Sequence, residues 1–271
     1  MQEGNQFIIN KIKEGKPFHI ARLGDTCSTG TLHFIHFNIF KNLTALSNNA
    51  GIYTTKDKQV KDYYIKYNDS IKFCDALACF PTLCVNEQEY FTKKYELNKI
   101  HNRVVEPHHL LYADIVPWSH HLLGKRILII NPFVDSFMIQ LKNNFEIFSG
   151  KRVFLDGQDF VFYKGYNTLA GNHLHSSWIE TFNIMKKDIQ KLEFDIALVS
   201  CGGYGLLLCD FIKRELSKGA IYVGGGLQLQ FGVIGNRWIN NSMFQQGQKW
   251  IRPSREELPP HPERVENNCY G

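Results

Sequence analysis

The chain of 271 residues lacks most of the features that place a protein in a class at first sight. No run approaches the ~18 consecutive apolar residues of a membrane-spanning helix. The first 16 residues are polar and contain no apolar stretch of the secretory-signal kind. The seven cysteines are odd in number and scattered, and the spacing of Cys74, Cys79 and Cys84 is not that of a zinc knuckle. Lys and Arg number 31 against 26 Asp and Glu, a net charge of +5 spread without a basic block, so nucleic acid is not an expected partner. There is no internal repeat, low-complexity linker, Walker A loop, GxSxG elbow, HExxH pair or kinase motif set.

What remains is an ordinary globular composition, 44% hydrophobic and 21% charged, in a chain long enough to bury a core without disulfides or metals. Cysteines inside apolar runs, such as Cys201 and Cys209, read as reduced core residues of a cytoplasmic protein whose membrane contacts, if any, are peripheral. We expect one domain over residues 1–271, with a mostly irregular segment from about 232 packed back over it.

Strand-like and helix-like patterns alternate along the chain, which predicts a Rossmann-like α/β fold: a mostly parallel sheet with helices on both faces. Strands are expected at 17–23, 71–80, 103–106, 124–132, 194–200 and 220–223. Helical patterns cover 32–40, 56–67, 87–95, 135–145, 175–191 and the stretch from 205 to about 216. Ser28 or Thr29 is the expected cap of the first of these helices.

In open parallel sheets, ligands bind beyond the carboxyl ends of the strands. Four such ends carry polar or glycine-rich turns, at 22–30, 131–136, 200–205 and 224–226. The candidate ligand-binding residues are therefore Arg22, Gly24, Asp25, Asn131, Ser136, Ser200, Gly202, Gly203, Tyr204, Gly225 and Gly226. The turn Cys201-Gly202-Gly203-Tyr204-Gly205 lacks GxGxxG spacing and also reads as a tight strand-to-helix turn. Gly224-Gly225-Gly226 fits a nearby ligand or a sharp bend equally well. Asp25 can hold a divalent ion or cap a helix. Asp75, a carboxylate within an apolar run, is a candidate catalytic base or a buried structural pair, with Glu87 and Asp135 behind it. The neighbouring pairs His108-His109 and His120-His121 are expected in surface or turn roles, because adjacent side chains do not easily face one metal.

Taken in order, these blocks resemble the GT-D-fold glycosyltransferases, a family found in bacterial and large-virus surface-glycan pathways. The resemblance covers most of the chain. It runs from residues 18–25, ending in Arg22-Leu23-Gly24-Asp25, through Pro117-Trp118-Ser119 and residues 123–133. It continues through 194–205 and 224–232 to Gly235-Asn236-Arg237-Trp238, Trp250-Ile251-Arg252-Pro253 and residues 265–270. It implies transfer of a sugar from a nucleotide-sugar, UDP-linked by expectation, to a hydroxyl of an oligosaccharide or glycoconjugate. It also implies an Asp-x-Glu motif that holds Mg²⁺ or Mn²⁺. Here the motif reads Asp25-Thr26-Cys27, so only Asp25 is carried over, as metal ligand and catalytic residue. The alternatives are a nucleotide-binding or methyltransferase domain of the same fold, or a non-catalytic scaffold in a glycan-assembly complex.

Overall fold

The structure, a computed structural model, describes residues 1–40, 43–54, 56–244 and 249–270. In chain order its elements are α1 (Gln2–Glu14), β1 (Phe18–Arg22), α2 (Asp25–Phe37), α3 (Leu43–Ala50), α4 (Asp57–Lys72), β2 (Ala76–Cys79), α5 (Val85–Lys94), β3 (Asn98–His101), α6 (His108–Tyr112), β4 (Arg126–Asn131), α7 (Val134–Lys142), β5 (Asp159–Lys164), α8 (Trp178–Ile189), β6 (Ile196–Val199), α9 (Gly205–Arg214), β7 (Gly219–Tyr222), α10 (Leu227–Gln230) and α11 (Asn236–Ile239). All seven strands are parallel and lie in one sheet, ordered β3-β2-β1-β7-β6-β4-β5. The expected Rossmann-like α/β architecture is thus the observed one. No helix among the described residues is long and apolar enough to cross a membrane, and all seven cysteines are free.

Successive side chains on a strand point to opposite faces, and the central strands divide accordingly. Ala21, Leu77, Leu128, Ile130, Ala197, Val199 and Ala220 face one core, with α4, α8 and α9. Ile20, Ala76, Ala78, Ile127, Ile129, Leu198 and Ile221 face the other, with α1, α7 and α10. Burial on both sides explains why β4 and β6 read as unbroken apolar runs rather than as alternating patterns. The chain leaving β1 enters α2 on the first face, whereas the chain leaving β7 enters α10 on the second. Since β1 and β7 are neighbours, the flanking helices diverge there. A crevice opens at the carboxyl ends, at a topological switch point.

Several local expectations are corrected. The apolar run 71–80 is not one strand: Ile71 and Lys72 end α4, and β2 begins only at Ala76. Residues 102–105 form a 3₁₀ turn, and the strand precedes it at Asn98–His101. α2 starts at Asp25 with Gly24 as N-cap, so Ser28 and Thr29 lie inside the helix. Their hydroxyls bond the Asp25 carbonyl and Glu87 instead of capping. α1 and β5 were not expected at all. The tail contains the short helix α11 and a bridge between Val233 and Ile251. It is pinned by the buried Glu257 carboxylate, which accepts bonds from the amides of Asp135, Ser136 and Ser254 and from the Ser136 hydroxyl.

Candidate functional site

The crevice forms a cleft of about 610 Å³, within the size range of small-ligand sites. Its lining brings together Arg22, Gly24, Asp25, Ser200, Gly202, Gly203 and Gly225 of the expected residues. Each is placed by a strand end. Arg22 is the last residue of β1, Asp25 opens α2, Ser200 follows β6, and the three glycines 224–226 follow β7. Asn131, Ser136, Tyr204 and Gly226 do not line the cleft. The Asn131 amide bonds the Ser200 carbonyl and the Phe133 amide. Ser136 is held by Glu257. Tyr204 is buried, with its hydroxyl on the Gly51 carbonyl.

The glycines are required by packing. Gly202 has φ +48°, and a Cβ there would sit 2.8 Å from the Ala50 carbonyl oxygen. At Gly224, φ is +72° and the open side is filled by the Arg22 guanidinium, while a Cβ at Gly226 would overlap the Glu106 carboxyl. The triple glycine therefore lets the backbone pass between two charged side chains, which accounts for its entropic cost.

Arg22 is anchored on three sides. Its Nη1 pairs with Glu106 and donates to the Val223 carbonyl at 2.6 Å, and the guanidinium lies 4.7 Å from the Phe80 ring centroid. Glu106 was not anticipated as a site residue: it closes the segment 103–106 that reads as a strand, and it carries no motif. Burial opposes its ionisation, but the Arg22 guanidinium and hydrogen bonding from His109 hold its carboxyl well below the usual range. Burial, helped by the charge of His109, pushes His108 down to about 3, so its ring is neutral. A second cation, Arg237, enters from α11. It pairs with Glu266 and lies against the Trp238 and Tyr270 rings, at 5.1 and 5.4 Å. Tyr222, Phe80 and Tyr270 supply aromatic surface around both arginines. Aromatic and guanidinium groups were legible as residue types, but nothing local indicated that the chain end returns to the β1–β7 crevice.

The donor set around Asp25 does not fit a resident divalent ion. Asp25 is an exposed single carboxylate, and the neighbour 3.8 Å from its Oδ1 is the Cys84 sulfur, whose thiol is pushed by burial up to about 11. Mg²⁺ and Mn²⁺ demand oxygen ligands, and Glu87, the nearest acid in sequence after β2, is engaged by Thr29. Asp135 lies elsewhere, paired with Lys164.

Asp75 lies outside the cleft. It immediately precedes β2, at the amino end of the sheet, and so cannot serve as the acceptor base of this site. Its oxygens receive the His19 amide at 2.9 Å, Lys11 at 3.2 Å and Lys213 at 2.8 Å. Burial works against its charge, but Lys213, the His19 amide and Lys11 outweigh it and lower the carboxyl from its ordinary value of 3.8. A depressed folded-state value contributes stability above the unfolded value that fades as pH falls through the folded one. Asp75→Asn should therefore be less stable than the wild type at pH 7. The gap should close as pH falls below about 4. Urea midpoints of the two proteins across that range test this; a pH-independent gap would refute the charge-based account.

No protein-family model matches the chain, and neither curated proteins nor solved structures yield a match.

Proposed function

We propose that the chain binds a nucleotide-sugar in the β1–β7 cleft and transfers the sugar to a hydroxyl of a glycan acceptor. The observation that carries this reading is the pair of arginines, Arg22 and Arg237, on either side of Gly224-Gly225-Gly226 at the carboxyl edge of a parallel sheet. Two cations packed against a glycine turn at a strand end suit a diphosphate, whose charge grows as the sugar leaves. The N-terminus of α2 adds unpaired amides on the same side. Tyr222, Tyr270 and Phe80 offer faces for a base or a sugar ring. Asp25 is then the carboxylate left to accept the proton of the attacking hydroxyl, since Glu266 is bound to Arg237. The preference for UDP rests on the GT-D resemblance.

The test is a ligand panel scored by thermal unfolding: UDP, GDP, their sugars, and S-adenosylmethionine for the methyl-transfer alternative. A ligand present at a hundredfold its Kd adds about 2.7 kcal/mol of stability. We expect a UDP-sugar to give such a shift, and slow release of free sugar to accompany it. Stabilisation by S-adenosylmethionine alone, or by nothing in the panel, would overturn the reading. Stabilisation without any hydrolysis or transfer would favour a scaffold.

A further inference from the structure

Beneath the cleft floor, on the far side of Arg22, lies a second constellation that the proposed transfer reaction does not use. Glu106, His108 and His109 leave the 3₁₀ turn after β3 and enter α6. Their ligand-capable atoms lie within 4.8 Å of one another. The Nε2 atoms of His109 and His108 are 3.6 and 3.8 Å from the same oxygen, Glu106 Oε2. Adjacent histidines do converge here, contrary to expectation: the turn of α6 tilts the rings by 37° at a centroid separation of 4.1 Å. Four-coordinate zinc with bonds near 2.0–2.1 Å sets its ligand atoms about 3.3 Å apart, so side-chain shifts of a fraction of an ångström to about 1 Å complete the triangle.

A second, independent feature points into this triangle. His108 is 1% exposed, and its Nε2 has no hydrogen-bond partner. A buried orphan of this kind is costly. Its other nitrogen, Nδ1, meets the Gln230 amide at 2.6 Å, and Gln230 Oε1 is also buried without a partner. Metal binding removes the first of these orphans. When a metal takes the Nε2 lone pair, the ring proton resides on Nδ1. A turn of the Gln230 amide then lets Oε1 accept it, the support that metal-bound histidines usually have, in exchange for the bond that Gln230 Nε2 donates to the Gly226 carbonyl at 3.0 Å. His109, one-fifth exposed, borders solvent and leaves a route of entry.

We propose that Glu106 Oε2, His108 Nε2 and His109 Nε2 form a site for a zinc-class divalent cation, with water in the fourth position, and that this ion competes with Arg22 for the Glu106 carboxylate. Two imidazoles and one carboxylate select zinc or cobalt over magnesium. Arg22 already holds Oε1 of the same carboxylate. Its positive charge therefore weakens the ion's hold, and the ion in turn weakens the anchor of Arg22. The site stands whether or not the cleft binds a nucleotide-sugar.

The experiment is titration of the metal-stripped full chain with Zn²⁺ by calorimetry and with Co²⁺ by visible absorption. One ion per chain is expected, with the d–d bands of four-coordinate cobalt and no thiolate charge-transfer band. Mg²⁺ should give no signal. His109→Ala, at a partly exposed position, should fold and bind at least tenfold more weakly. Arg22→Ala should bind Zn²⁺ more tightly than the wild type and gain more thermal stability from it. No binding by the wild type, a thiolate band, or unchanged affinity in His109→Ala would each overturn the site. Unchanged or weaker binding in a folded Arg22→Ala would overturn the competition. Should that variant not fold, Arg22→Met, which removes the charge but keeps an apolar stem against the Phe80 ring, takes its place, with tighter zinc binding again expected.

Discussion

Arg22→Ala is expected to lose about 3–5 kcal/mol of stability, the cost of stranding one partner of a buried ion pair, and to lose nucleotide-sugar binding with it. Arg22 and Glu106 are 17% and 11% exposed, so water screens the pair little. Removing the guanidinium leaves a buried carboxylate with only His108 and His109 nearby. It also frees the Val223 carbonyl and uncovers the Phe80 ring. Glu106→Gln removes the charge that needs compensation and should cost less. The double variant Arg22→Met with Glu106→Gln should recover much of the loss, because replacing both partners of a buried pair is far milder than removing one. Urea unfolding of these proteins together with Arg22→Met, which closes the cycle, measures the coupling, and calorimetry with UDP-sugar measures the binding. An Arg22→Ala protein within 1 kcal/mol of the wild type, binding donor unchanged, would show that the pair neither holds the cleft nor serves it.

The sheet was legible in sequence where burial was complete. β4 and β6 are sealed on both faces and read as apolar runs between turn residues, a signal that does not depend on tertiary context. β3, by contrast, is an edge strand in which only Ile100 is buried. Its composition, Asn-Lys-Ile-His, carries no strand pattern, and the more apolar Val104-Val105 beside it drew the strand assignment. β5, at the other edge, is half-buried between exposed ends. α1 presents Ile8, Ile9 and Ile12 to the core on an otherwise polar helix, a stripe easily missed when the segment is tested only for secretory character.

The site was legible to the extent that strand ends alone determine it. Arg22, Asp25, Ser200 and the glycines could be placed because a parallel sheet brings the carboxyl ends of its strands to one edge. Asp75 could not, because a one-turn error in where α4 ends moved it from the amino edge of the sheet to the middle of a supposed strand. Glu106 and Arg237 depend on contacts across 84 and 29 residues, to Arg22 and Glu266, and no local periodicity encodes those. The triple glycine illustrates the limit from the other side. Its cost in entropy fitted a nearby ligand or a sharp bend equally well, and the close partners are Arg22, Arg237 and Glu106, the side chains that shape the cleft.

Asp25→Asn is expected to leave the fold and donor binding nearly intact and to lower transfer by roughly 10²–10⁴, as loss of a general base does. The position makes this separation clean. Asp25 is exposed at the mouth of the cleft, so no core contact depends on its charge. Its structural contribution is that of an acidic residue in the first turn of α2, about 0.3–1 kcal/mol. Asparagine keeps the shape and can still accept a hydrogen bond, but it cannot take a proton from an acceptor hydroxyl. Donor hydrolysis and transfer should also part. Hydrolysis needs the diphosphate held by Arg22 and Arg237 and should fall less than transfer to a sugar acceptor. Product formation, donor calorimetry and thermal unfolding on the same preparations distinguish the outcomes. Full transfer activity in Asp25→Asn would exclude it as the base. Loss of donor binding in step with transfer would put the carboxylate on the donor, and would reopen the question of an ion held there through the phosphates. Excess EDTA resolves that branch: activity of the wild type that survives chelation rules the ion out.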